Sequence, residues 1–534
     1  SNNVAIGYRS LTSQTVADQN TAVGADSMFT NTTGEYNVAM GFMALYSNTT
    51  ADNNTAVGYQ ALLNNTTGIA NIAVGANALD ANTQGGNNSA LGRDALGSNT
   101  EGNHNTAVGK DALLSNTTAS SNTAVGHDAL QANTTGTNLV AVGANALDTN
   151  TTGSGNVAIG VSALQANTTA SHNIAVGQGA MFANTTGTRN TAVGANGTLT
   201  SNLTGNDNIA VGYVAMGANT TGVSNVALGA YTLDANTTGS YNTAVGALAL
   251  TDNTSSQNNT AVGYFAMGQN STGANNVAVG YAALDANTTA NSNTALGYAA
   301  LTENTTGTGN TAVGAAALDA NTTGGENTAV GLTCLSGNTT GNANTAVGRT
   351  CMFTNSTGSQ NTAIGRQALG ANTTASNNTA VGYHSLLSNS TGTQNTAVGS
   401  HALDANTTAN ENTAVGYFAA KLNTTGSANT VMGHNSFDAN TTGGANVAIG
   451  AQSLSSNTSA DNNTAVGSFC LRDNTTGTNN TGLGRGVMIL NTTGQQNVAV
   501  GSFALDAATT ADNNTAIGHG ALGATTTGAM NTAL

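Results

Sequence analysis

Proline and tryptophan are absent from this 534-residue chain, lysine and arginine together number only 9, and charged residues of either sign make up 6%. With no proline, no strand loses a ladder donor to a pyrrolidine ring. Nine scattered cations against 24 acidic residues, a formal net charge of −15, exclude a nucleic-acid or anionic-membrane surface, because phosphate binding needs clustered positive charge. An ordinary soluble domain is roughly a quarter charged. The composition therefore fits neither a standard globular enzyme nor a chain kept disordered by charge. Three cysteines cannot supply a disulfide framework for a chain of this length. No apolar run reaches the roughly 18 residues of a membrane helix, so no membrane insertion is expected of this segment. The chain opens Ser1-Asn2-Asn3, without Met or a signal-type apolar core, as expected of a mature or excised piece of a longer array.

What the chain has is a repeat. Asn-Thr-Ala-Val-Gly, or a close variant, starts at Asn3, Asn20, Asn37, Asn54, Asn71 and Asn88, always 17 residues apart, and continues to Asn531. One step, from Asn190 to Asn208, is 18 residues and places a one-residue insertion near Gly197-Thr198. Numbering each unit 1 to 17 gives N-[TVI]-A-[VIL]-G-x-x-A-L-x-x-N-T-T-G-x-x, with Gly at position 5 in all 31 complete units and Leu, Met or Phe at position 9 in 30 of them. The exception at position 9 is Ala420, whose space Leu422 is expected to fill. The glycines and Thr/Asn clusters break any apolar pattern of period 3.6, which excludes helices. Short β-branched runs between Gly and Asn turn signals predict strands at positions 1 to 4 and about 7 to 11. The expected fold is all-β: a parallel β-solenoid, or β-roll, of about 31 stacked 17-residue coils in one continuous array over residues 1–534. At about 4.8 Å per coil it would form a rod about 150 Å long.

Substitutions among the repeats show which positions tolerate which chemistry. All nine Lys and Arg fall at positions 6, 7, 10 or 17, and positions 1 to 5, 8, 9, 12, 13 and 15 carry no charge anywhere. Burying an unpaired charge is costly, so the charged positions are surface and the others are core, turn or contact. The bulky or β-branched side chains at positions 2, 4 and 9 are expected to fill the interior. Strand alternation then turns the position-3 alanines outward. An exposed strand face would accept charge, so Ala261, Ala278 and Ala295 read as a lateral interface between chains. The alternative is a core so thin that both strand faces are internal.

Asn at position 12 opens an N-x-[ST] sequon in 26 of 31 coils. Asn31, Asn48, Asn65, Asn116, Asn133, Asn150, Asn236, Asn287, Asn321, Asn406, Asn440 and Asn491 are candidates either for a buried amide ladder or for glycosylation. Tyr264, Tyr281 and Tyr298 share position 6 on successive coils, a stripe that either stiffens the edge or binds sugars. Cys334, Cys351 and Cys470 replace Ala at position 8 and read as small buried hydrophobes. The seven histidines show no His-x-x-His spacing, and no constellation breaks the repeat, so no metal, cofactor or catalytic residues are expected. The recurrent position-10 Asp, as in Asp80 and Asp285, supplies one carboxylate where calcium takes roughly six to eight oxygens.

Asn156-Val157-Ala158-Ile159-Gly160 and Asn446-Val447-Ala448-Ile449-Gly450 resemble strands in the head repeats of trimeric autotransporter adhesins. The full unit beginning Asn54-Thr55-Ala56-Val57-Gly58 and ending Asn65-Thr66-Thr67-Gly68 is similar to repeats of phage tail-fibre-like and bacterial surface fibre proteins. The resemblance is at repeat level and covers the whole chain. It implies a left-handed β-roll projecting from a cell or virion, partnered by copies of itself as a homotrimer or end-to-end filament, and binding glycans or a host surface. The expected function is a non-enzymatic structural or adhesive extracellular fibre. An ice-binding solenoid is the alternative, because Thr columns recur at positions 2, 13 and 14. It is weakened by the expectation that position 2 faces the core. A phage receptor-binding tail fibre is the further alternative.

Overall fold

A computed structural model describes residues 2–534, and the chain falls into two compact units, Ser1–Phe265 and Ala266–Leu534. Each unit is an all-β parallel solenoid, with no helix among the described residues and therefore none long and apolar enough to cross a membrane. The first unit carries 16 strands, from Val4–Ile6 to Thr260–Val262, and the second carries 16, from Val277–Val279 to Thr532–Ala533. Within each unit the strands cover positions 2 to 4, except that Thr532–Ala533 covers only 2 and 3, and they pair in parallel with their equivalents one coil on. Ala22 thus lies opposite Ala39 and Ala39 opposite Ala56 in the first unit, and Ala295 opposite Ala312 in the second. A strict 17-residue period stacks like on like, so the register follows directly from the repeat.

The second strand expected at positions 7 to 11 is not formed; this stretch is a succession of turns. Its backbone alternates into the left-handed region, with φ of 56° at Gln60 and 53° at Leu62 after a φ of 140° at Gly58. Those residues curl the chain back instead of extending it. The hydrogen-bond ladder nevertheless continues, because Gln60 N–H donates to Phe42 O of the preceding coil at 3.0 Å and Leu62 N–H to Ala78 O of the next at 2.9 Å. A left-handed leucine costs roughly 1–2 kcal/mol. It persists because its N–H is paired and its side chain is buried by the neighbouring coils.

The strand also faces the opposite way from the sequence expectation. In Thr55–Val57 the central Ala56 is fully buried while its neighbours are partly exposed, and this pattern recurs along both units. Ala261, Ala278 and Ala295 are each 0% exposed within their own chain, which overturns their reading as a lateral interface. Position 3 lacks charge because it faces a narrow interior, which holds Ala in nearly every coil and Val431 in one. The core consists of Ala at 3 and 8, Leu at 9, and Asn at 1 and 12; Thr, Val and Ile at 2 and 4 form the outer sheet face.

Departures from the repeat are compensated locally. Leu422 is 47% exposed and does not fill the space beside Ala420; the next coil instead carries two enlarged buried residues, Val431 at position 3 and Phe437 at position 9. Where Gly482 replaces the usual Ala, a methyl group would lie 2.6 Å from Cys470 Sγ, so the cysteine on the preceding coil occupies that volume. The insertion lies where expected: Gly197 has φ 107°, strand pairing resumes with Thr191 opposite Ile209, and Thr198 Oγ1 donates to Gly212 O at 2.7 Å.

Candidate functional site

Two columns of asparagine amides organise the interior. At position 12, Asn48 Nδ2 donates to Asn31 Oδ1 of the preceding coil at 2.8 Å and to Ala51 O of its own coil at 3.0 Å. At position 1, Asn54 N–H donates to Asn37 Oδ1 at 2.9 Å, and Asn54 Nδ2 donates to Gly68 O at 2.9 Å. The same Gly68 carbonyl accepts from Asn65 Nδ2 at 2.9 Å, so two asparagines of one coil pin the inward-facing carbonyl of position 15. The contact needs a side-chain donor and the ladder an acceptor, so Asp, which lacks the donor, cannot replace the amide; in the first coil Gln14 takes the position and donates to the Ala17 carbonyl. All twelve position-12 candidates, from Asn31 to Asn491, are 0% exposed. A glycan on Nδ2 is incompatible with that burial, so these residues form the ladder and not a glycosylated surface. Leu139 interrupts the position-1 column. Its N–H still donates to Asn122 Oδ1 at 3.0 Å, but it has no oxygen to offer the following coil.

The outer face is a set of parallel side-chain columns. Tyr281 and Tyr298 stack with centroids 5.2 Å apart and planes at 10°, and they are 50% and 61% exposed. Tyr264, in the first unit, is exposed and meets Phe265 edge-on at 4.6 Å. Nine successive strands, from Thr294–Leu296 to Thr430–Met432, each place a position-2 threonine on the outer face, paired in register. This corrects the expectation that position 2 points inward.

One cluster was missed from the sequence. His384 and His401 occupy position 7 of adjacent coils, with ring centroids 5.1 Å apart, and Asp404 Oδ2 lies 2.7 Å from His401 Nδ1. The available ligand atoms of all three residues lie within 4.8 Å of one another. The signal was the shared repeat position: in a solenoid, a separation of 17 brings side chains together as a separation of three or four does on a helix. Burial holds the His384 imidazole below its ordinary range, against the opposing pull of Asp404.

Burial likewise raises the carboxyl groups of Asp80, Asp148, Asp234 and Asp438, all at position 10. A shift that recurs with the repeat is a property of the coil and does not mark a single reactive centre. Cys334, Cys351 and Cys470 are free and buried. The hydrogen-bonded Cys334 neighbour and burial raise the Cys351 thiol, and burial pushes Cys470 up to about 12. In the folded chain at pH 8 no thiol should react with a disulfide reagent within minutes, and all three should react in denaturant. Rapid labelling of Cys470 in the folded chain would contradict its burial.

The fold is an all-β parallel solenoid, consistent with repeat-type fibre and adhesin folds. No family model matches the chain, and no curated protein matches it either.

Proposed function

We propose that the chain is a structural and adhesive fibre subunit of an extracellular, cell or virion surface, acting through presented side-chain columns and not through turnover. The observation behind this reading is a division of labour within each coil. Inward positions repeat almost without variation, whereas positions 6, 7 and 10 vary from coil to coil and display Tyr, Phe, His and charged side chains outward. Partners in this reading are further copies of the chain and surface glycans, with sugars packing on exposed rings such as Tyr281 and Tyr298. Any lateral self-contact would use the Thr/Val/Ile face of positions 2 and 4, because the position-3 alanines are internal. A receptor-binding tail fibre is the same reading placed on a virion. The test is retention of the full chain on immobilised glycans and cell surfaces. The double variant Tyr281→Ala/Tyr298→Ala is expected to lose at least half the retained protein at unchanged thermal stability. Retention unaffected by the double variant, or none at all, removes the adhesive role.

Ice binding is a second reading, favoured by the outward column of nine threonines. The parallel sheet there repeats a hydroxyl and a methyl at about 4.8 Å per coil. Thermal hysteresis in dilute solution, lost on Thr345→Lys, would support it; freezing-point behaviour no different from that of an inert protein would exclude it.

A further inference from the structure

Among the described residues, His384, His401 and Asp404 are the one group of three His, Cys, Asp or Glu side chains whose ligand atoms lie within 4.8 Å of one another. We propose that they bind one divalent transition-metal ion of the Zn2+ class on the outer surface of the second unit. Two imidazoles and a carboxylate are borderline donors that suit Zn2+, Co2+, Ni2+ or Cu2+, whereas Ca2+ and Mg2+ take sets made mostly of oxygens. A tetrahedral ion with bonds of about 2.0–2.1 Å needs ligand atoms about 3.3 Å apart. His401 Nδ1 and Asp404 Oδ2, at 2.7 Å, now share a hydrogen that the ion would replace. His384, whose ligand atom lies within 4.8 Å of the other two, would close in by at most about 1.5 Å to reach that spacing, a modest side-chain rotation for a group that is only half-buried.

The surroundings orient the ligands. His384 Nε2 pairs with Gln367 Oε1 at 2.7 Å, which leaves the lone pair on Nδ1, and the ring stacks on Tyr383 at 3.8 Å. Phe418 packs against His401 with centroids 5.2 Å apart. Two cations oppose a dication here: Arg366, 5.8 Å from the Tyr383 ring centre, and Lys421, 4.3 Å from that of Phe418. With three ligands, one carboxylate and these flanking charges, the expected affinity is micromolar, and the fourth position is left to water or to a ligand from another molecule.

The experiment titrates Zn2+ alone into chelator-stripped full chain by calorimetry and repeats the titration with Co2+, whose visible absorption reports coordination. One ion per chain is expected, with affinity reduced at least tenfold in His384→Ala and in His401→Gln, and several-fold in Asp404→Asn. His127→Ala serves as the control, because His127 and Asp128, a pair at 2.8 Å, belong to no group of three such ligands among the described residues and should leave uptake unchanged. Circular dichroism separates loss of ligands from loss of fold. Absence of saturable Zn2+ uptake, or uptake indifferent to both the His384 and His401 variants in folded protein, overturns the site.

Discussion

Ala295→Glu is expected to unfold its own coil and those on either side, and to leave oligomer mass unchanged. Ala295 is 0% exposed and stacked in register between Ala278 and Ala312. A glutamate there adds four heavy atoms to a space that fits a methyl group, and overpacking of that kind costs about 1–3 kcal/mol. Its carboxylate would also be stranded, at a cost of several kcal/mol. The nearest donors cannot rescue it, because the amides of Asn293 and Asn310 are already engaged with position-15 carbonyls, at 2.9 and 2.8 Å. Burial raises the carboxyl group above its unfolded value, so the neutral form is the one tolerated. Relative to the parent chain, the variant is therefore least destabilised in acid. It loses up to about 1.4 kcal/mol per pH unit as pH rises from the unfolded value towards the raised folded one. Hydrogen exchange should show protection lost over the coils around residue 295 and kept several coils away, because solenoid coupling is mainly between neighbours. A variant that keeps parental stability but changes its state of association would restore the interface and remove Ala295 from the core.

The same residue shows where the sequence was legible and where it was not. The period, the register and the Gly197 insertion were readable because identical coils can bury a continuous core only by stacking like on like. The phase of the strand was not. Alternation offers two faces, and assigning the bulkier side chains to the inside is sound for a wide core but fails here, where Ala56 and its equivalents fill the interior and Thr55 and Val57 cover the outside. Leu62 hid its conformation for a related reason, since nothing in a leucine signals φ 53° until the hydrogen bonds from adjacent coils are counted. Asn48 was recognisable as a ladder former, but the second column through Asn54 and the convergence of both on position-15 carbonyls required the cross-section of the coil. His384 and His401 were within reach of the sequence, because equal repeat positions imply spatial neighbours. Short motifs do not carry them, because the two histidines lie 17 residues apart.

Gly280→Val is expected to be among the most damaging single substitutions in a turn, and a comparison with Gly324→Ala isolates the cause. Gly280 has φ 138°, and a Cβ there would lie 2.2 Å from Gly297 O of the next coil. A Cβ at Gly324, at position 15, would meet Gly341 O at 2.4 Å, almost as severe a contact. Yet position 15 is alanine at Ala290, Ala375, Ala409 and Ala460, each at most 2% exposed, so the stack shifts to admit that methyl. Position 5 is glycine in all 31 complete units. The difference is the backbone: positive φ marks Gly280 and its equivalents and does not mark Gly324, and no spacing adjustment relieves a β-branched residue held there. Gly324→Ala should cost less than about 1 kcal/mol, within the range of tolerated repeat variation. Gly280→Val should cost about 3 kcal/mol or more, combining backbone strain with the clash against a carbonyl that also accepts from Ala300 N–H within its own coil at 3.4 Å. Denaturant unfolding of the two variants under one set of conditions decides the matter: equal costs would mean that crowding, and not backbone conformation, fixes glycine at the corner of every coil.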